Sequence, residues 1–217
     1  MYKLLILLSI GFLFLANSCN KTPKYYDISG TVKNTTTQEV ISDATIYLDA
    51  KKLENGVYNS TFTNISSSKS NSAGVYEIGI EEDKVSEYRF RATKEGFFDY
   101  EEEVSVDELQ ASINYKKDFS LYQEAWIELK IKNTSPQGTD DEISYRFINI
   151  EVSGKDCCSN ESIKGIGPSY SVTQLCRAQS GEWIKIEWVV KKNGNQHIYH
   201  DSVWTEAGKT VSKNINY

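Results

Sequence analysis

Tyr26-Asp27-Ile28-Ser29-Gly30-Thr31-Val32 alternates in polarity with a period of two. Successive side chains of a strand point to opposite faces, so this stretch reads as a half-buried β-strand. The pattern recurs in both directions along the chain. Ala44-Thr45-Ile46-Tyr47-Leu48 makes a second strand, and Glu54-Asn55-Gly56 is a turn from which Val57 to Phe62 can run back, because Asn-Gly tolerates positive φ. Asn64 to Ala73 reads as a polar, Ser-rich loop. Gly74 to Ile80 and Tyr88 to Ala92 alternate again, and Gly96 marks a tight turn before Phe97-Phe98. The Glu101-Glu102-Glu103 run suits a solvated edge or loop. Val104-Ser105-Val106 and Phe119-Ser120-Leu121 complete this set.

The second half keeps the rhythm. In Trp126 to Lys132, Ile127, Leu129 and Ile131 face one side, while Glu128, Lys130 and Lys132 face the other. Ile143, Tyr145 and Phe147 alternate, and the apolar parity then switches to Ile148, Ile150 and Val152. A β-bulge or a strand buried on both faces would explain the switch. Residues 153–182 read as a long connection containing Gly and Cys. Trp183 to Val190 is a strong strand, Lys192-Asn193-Gly194-Asn195 a hairpin turn, and His197–Trp204 and Thr210–Tyr217 the last strands. The expectation is an all-β chain with two β-sandwich domains, residues 26–122 and 123–217.

Composition agrees with sheets. The chain has 217 residues with 39% hydrophobic and 25% charged side chains, which is globular rather than disordered. Fourteen Tyr and four Trp against three Pro suit pleated surfaces. Residues 19–122 carry 12 basic and 18 acidic side chains, and residues 123–217 carry 11 and 12, so the acid excess lies in the first half. Such a surface repels phosphate backbones, and no nucleic-acid partner is expected.

The N-terminus reads as an export leader. Met1-Tyr2-Lys3 is a short positive segment and Leu4 to Leu15 is almost wholly apolar, too short to remain as a membrane span. It ends in Leu15-Ala16-Asn17-Ser18-Cys19 before a polar tether. A small residue before Cys at this place resembles the lipobox of bacterial lipoproteins, in the relaxed form of Bacteroidota, with Ala16 where Leu is usual. The resemblance implies a cleaved signal peptide (1–18), acylation of Cys19 and a tether over 19–25. It also implies a lipid-anchored protein of the cell envelope, at the outer membrane and facing the periplasm or the surface. An ordinary signal peptide with a chance Cys, or a retained anchor, is the alternative.

Ile28-Ser29-Gly30-Thr31-Val32 with Ile41 to Leu48, then Ser70-Asn71-Ser72-Ala73-Gly74-Val75-Tyr76, then Ala92-Thr93-Lys94-Glu95-Gly96-Phe97, resemble the ordered motifs of carboxypeptidase regulatory-like domains. That family implies a prealbumin-like (transthyretin-like) sandwich over 26–122 and a non-catalytic role.

Three cysteines remain beyond Cys19. An exported protein meets oxidising conditions, so a disulfide between Cys176 and either Cys157 or Cys158 is expected. Cys157, Cys158, Cys176, His197 and His200 could supply metal donors on paper. Yet Cys157-Cys158 lacks the spacing of a zinc knuckle, and residues three apart on a strand face opposite ways. No metal site or cofactor is expected. With only two His, no G-x-S-x-G and no phosphate loop, enzyme activity is not expected either. Asp140, Asp141 and Glu142 suit a solvated turn. The reading is a non-catalytic structural or interaction module with the membrane as partner through Cys19, and a protein or glycan as further partner. The glycan alternative would use Trp126, Trp183, Trp188, Trp204 and the Tyr-rich segments, against aromatic core packing as the simpler role.

Overall fold

The computed structural model describes residues 23–54 and 56–217; the leader and Cys19 lie outside these residues. The first sandwich is formed by β1 (Tyr25–Asn34), β2 (Thr45–Glu54), β3 (Val57–Tyr58), β4 (Thr63–Lys69), β5 (Val75–Glu81), β6 (Val85–Thr93), β7 (Tyr100–Ser105), α1 (Val106–Gln110), β8 (Asn114–Lys116) and β9 (Phe119–Leu121). The second is formed by β10 (Glu124–Lys132), β11 (Glu142–Ile148), β12 (Ile163–Ile166), β13 (Ser171–Gln179), β14 (Trp183–Lys192), β15 (Asn195–Trp204) and β16 (Thr210–Asn216).

The inward residues of these strands make two separate cores, one drawn from Tyr26 to Leu121 and the other from Ile127 to Ile215. Each fully buried aliphatic or aromatic side chain contributes roughly 1.5–3 kcal/mol. The all-β expectation of two sandwiches therefore holds.

The two sandwiches share one topology. In the first, β1 lies between β5, antiparallel, and β8 with β9, both parallel to it. The facing sheet runs β4-β2-β6-β7, all antiparallel, with β3 extending the β4 edge. In the second, β10 lies between antiparallel β13 and parallel β16, and the facing sheet runs β12-β11-β14-β15. Because the first and last strands of each sandwich run parallel, the chain enters at one end and leaves at the other.

Gly30 explains why the first sandwich needs two short last strands. A Cβ there would stand 1.7 Å from the Lys117 carbonyl oxygen, so the chain between β8 and β9 passes directly over a bare Cα. That carbonyl accepts the Tyr76 hydroxyl at 2.7 Å, and Asp118 accepts the Thr31 amide at 2.7 Å, which fixes the crossing. In the second sandwich β16 is unbroken from Thr210 to Asn216, and Leu129 of β10 fills its core position.

Five expectations need correction. The Ser-rich segment after Asn64 is not a loop but edge strand β4; it pairs with β2 through its backbone while its side chains are largely exposed, so it needed no apolar pattern. Of residues 57–62, only Val57-Tyr58 runs back along β2. The parity switch at Phe147–Ile148 is the end of β11, where Asn149 takes a positive φ of 67° and turns the chain away. Within 153–182 lie β12 and the nine-residue β13. Val106 begins a short helix, which Ser105 caps by accepting the Glu108 amide, and Leu109 is fully buried beneath it.

The sandwiches meet where β1 and β9 end and β10 begins. Asn34 donates to Gln123 at 3.2 Å, Thr36 Oγ1 donates to the Ser180 carbonyl at 3.2 Å, and Arg177 lies 4.9 Å over the Phe98 ring. Glu124 holds Arg177 in place at 2.5 Å.

Candidate functional site

A disulfide joins Cys158 to Cys176, while Cys157 is free and half-buried. The bond ties the β11–β12 connection to β13. Among the described residues no three His, Cys, Asp or Glu side chains cluster so as to hold a metal ion. No helix among them is long and apolar enough to cross a membrane. His197 and His200 are both exposed on β15, on opposite faces.

The acidic turn is structural at its centre. Asp141 is fully buried and accepts from Asn133 Nδ2 at 2.8 Å and from the backbone amides of Gln137 and Gly138 at 2.9 and 3.1 Å. Burial pushes its carboxyl up, but these hydrogen bonds and Lys192, 3.8 Å away, bring it below the usual carboxylate range. Asp49 plays a like part in the first sandwich. It faces outward on β2 yet is covered by Arg91, Arg89 and Asn64, with Arg91 Nε at 2.7 Å. Burial again raises it and those hydrogen bonds more than offset the rise.

The tryptophans divide by face. Trp183 and Trp204 oppose each other across β14 and β15 on the outer face, 62% and 43% exposed, with ring centroids 5.6 Å apart. Trp188 has the other parity and packs half-buried against the second core. Trp126 is half-buried on the outward side of β10.

A concavity lined by aromatic side chains follows from β15. This strand overhangs the three-stranded sheet opposite, so nine of its ten residues are exposed. Beneath the overhang lies a groove of about 480 Å³ lined by Ser135, Gln137, Trp188, Val190, Lys192, Asn195, His197, Tyr199, Asn216 and Tyr217. Its volume is that of a small-ligand site. The Trp188 and Tyr199 rings are stacked at 5.7 Å with 17° between planes, and His197 follows 6.4 Å beyond Tyr199. The three make a continuous aromatic strip. Tyr217 lies on another side of the groove with Lys192 4.8 Å over its ring; burial, Tyr170 and Asp141 push its phenol up to about 12.

Lys192 is already engaged, donating to Asn133 Oδ1 at 2.9 Å and to the Ser135 carbonyl at 2.7 Å. It adds no free charge. The groove opens where β14 turns into β15 through Asn193 and Gly194, at φ 47° and 75°, the end of the second sandwich opposite the junction. A larger opening of about 840 Å³ sits at the junction itself, bordered by Lys69, Lys94, Glu95, Asp99, Glu124 and Arg177. Its charges are mixed in sign, and Glu124 and Arg177 pair with each other.

Sequence reading found Trp188 but not its setting. His197 and Tyr199 lie in a stretch read simply as a strand, and the alternation gave no sign that their sheet would overhang its partner. Gln137, Asn195 and Asn216 come from a loop and two strand ends that only the fold brings together.

No protein-family model and no curated protein matches the chain. Among solved structures, the shaft pilin SpaA of Lactobacillus rhamnosus GG is 8% identical, with 90% of this chain and 97% of that one covered at a TM-score of 0.34. The minor pilin GBS52 of Streptococcus agalactiae is 11% identical, covering 88% and 94% at 0.31. A protein described as a cell-adhesion protein from Bacteroides ovatus is 12% identical, covering 90% and 93% at 0.29. At these scores the likeness is one of strand content, not of a shared detailed fold or role.

Proposed function

We propose that this chain is a non-catalytic, lipid-anchored envelope protein. In this reading the first sandwich, a carboxypeptidase regulatory-like module over 26–122, is a spacer, and the second, over 123–217, presents a binding groove. The anchor is acylated Cys19, and the protein is held at the outer membrane.

One observation carries the reading: the groove lies at the end of the second sandwich opposite the junction, while β1 enters the first sandwich at the end away from that junction. Parallel first and last strands carry the chain from the tether end of each sandwich to its far end. A ten-residue strand spans about 30 Å, so two such modules in series set the Trp188–Tyr199 strip well away from the anchor. Rigid sandwiches bind through loops and free edges, and both are gathered at that end.

The test has two arms. Metabolic labelling with an alkyne-tagged fatty acid should mark the wild-type protein and leave Cys19→Ala unlabelled and released from the membrane fraction. The soluble chain from Asn20 onward, coupled to beads, should retain components of envelope or cell-surface extracts that a Tyr199→Ala bead does not. An unlabelled wild type refutes the anchor; identical retention by both beads refutes the groove as the binding end.

A further inference from the structure

We infer that the Trp188–Tyr199–His197 groove is a saccharide site, taking an uncharged oligosaccharide whose sugar rings lie along the aromatic strip. The inference rests on the reading of the groove as the binding end and specifies its ligand.

The lining points to that chemistry. A pyranose offers two faces of C–H bonds and a rim of hydroxyls. It is matched by flat aromatic rings set side by side with amide groups around them. Trp188 and Tyr199 provide such surfaces as near-parallel rings, 17° between planes with centroids 5.7 Å apart, and His197, tilted by 44° to Tyr199, follows along β15. Asn195 and Asn216 lie on the rim, exposed and with no side-chain hydrogen bond to the protein among the described residues; Gln137 spends its carbonyl on Asn193 at 2.8 Å and keeps its NH₂ free. Amides both donate and accept, as a ring of hydroxyls requires.

Charge argues for a neutral ligand. Lys192 is the sole ionic side chain of the lining, and the buried Asp141 carboxylate stands 3.8 Å behind it. Neither an anionic polymer nor a cationic peptide finds an unmet counter-charge. The strip lies on the inner face of β15, the face that also carries Val203, while Ile198 and Trp204 lie on the outer face. Tyr199 and His197 are exposed, so they are free to stack on a ligand rather than on the core.

Isothermal titration calorimetry of the soluble chain from Asn20 would use neutral hexasaccharides: β-1,4-linked glucose, mannose and xylose, and α-1,4-linked glucose. At least one should bind saturably. Tyr199→Ala should weaken that binding about tenfold or more. Asn216→Ala and Gln137→Ala should weaken it severalfold, and Trp204→Ala, on the opposite face, should leave it unchanged. All four positions are exposed, and circular dichroism would confirm that each variant folds. The inference is overturned if none of the four sugars binds. It is equally overturned if Trp204→Ala abolishes binding while Tyr199→Ala does not. Should the sugars fail while beads bearing the wild type still retain a protein that Tyr199→Ala beads lose, the ligand class is wrong and the binding end stands.

Discussion

Phe90 and Trp188 hold the same place in the two sandwiches, each on the fifth strand of the shared order and each opposite an inward residue of the second strand, Leu48 and Tyr145. Phe90 is completely buried. The broken last strand of its module folds across it, stacking Tyr115 on its ring at 6.3 Å and setting Phe119 against it, tilted, at 5.9 Å, and Lys117 reaches Glu102 at 2.5 Å on the neighbouring β7. Trp188 has no such cover. β16 runs straight past it, and the neighbour across β15 is Tyr199 in place of an acid. One topology thus yields a closed module and an open one, and the difference begins with whether a glycine lets the last strand buckle.

The free edges differ in the same sense. β7 carries Glu101, Glu102 and Glu103 in six residues, a charge guard against pairing with another chain. β15 carries ten residues with one acid, Asp201, which pairs with Lys213 of β16, and it exposes Ile198, Tyr199 and Trp204. The first module guards its edge with charge and the second leaves its edge largely uncharged.

Gly30→Ala strikes this contrast hardest. A methyl group cannot coexist with the Lys117 carbonyl, so β8 and β9 must shift, at a cost of about 3 kcal/mol or more. Calorimetry should show the first sandwich melting early while the second keeps its transition; an unshifted first transition would remove the crossing as the cause of closure.

Replacing Cys158 and Cys176 by Ala should cost the second sandwich about 3 kcal/mol, since the bond closes a loop with a sequence separation of 18. Cys157→Ser should change nothing, and mass mapping should find the bond intact. A stability loss confined to the Cys157 variant would mean the pairing is otherwise.

Asp49→Ala leaves Arg89 and Arg91 without their shared acceptor and should destabilise the first sandwich by about 1–3 kcal/mol. The folded-state pKa of Asp49 is depressed. Its contribution is therefore present above the ordinary value near ~3.9 and is lost as pH falls through the folded value. Urea titrations at pH 7 and below pH ~4 should accordingly give a smaller stability difference for the variant than for the wild type. The smallest effect belongs to the junction. Arg177→Ala removes a partly exposed ion pair and a cation–π contact, worth about 1 kcal/mol or less together. Small-angle scattering should then detect a broader distribution of angles between the modules.

Much of this was legible in the residues. Tyr26 to Val32, Trp126 to Lys132 and Trp183 to Val190 announced their strands because one face of each is core and the other is wet. β4 and the first half of β13 did not, because edge strands satisfied by backbone pairing have no face that must be apolar. Nothing local in Gly30 says that a carbonyl from 87 positions away will rest on it. The groove was illegible for a kindred reason: exposure of Trp188 depends on what the last strand fails to cover, a property of two strands that the sequence separates by a turn and a loop.

The parallel pairing of β1 with β9, and of β10 with β16, has a mechanical consequence. A pull applied along the chain, at the start of β1 and at the end of β16, loads each module at the start of its first strand and the end of its last. These strands lie side by side and point the same way, so the force slides them along each other and strains the whole row of backbone hydrogen bonds at once. Unzipping them one rung at a time would take far less. A chain laid out in this way resists being drawn apart along its length.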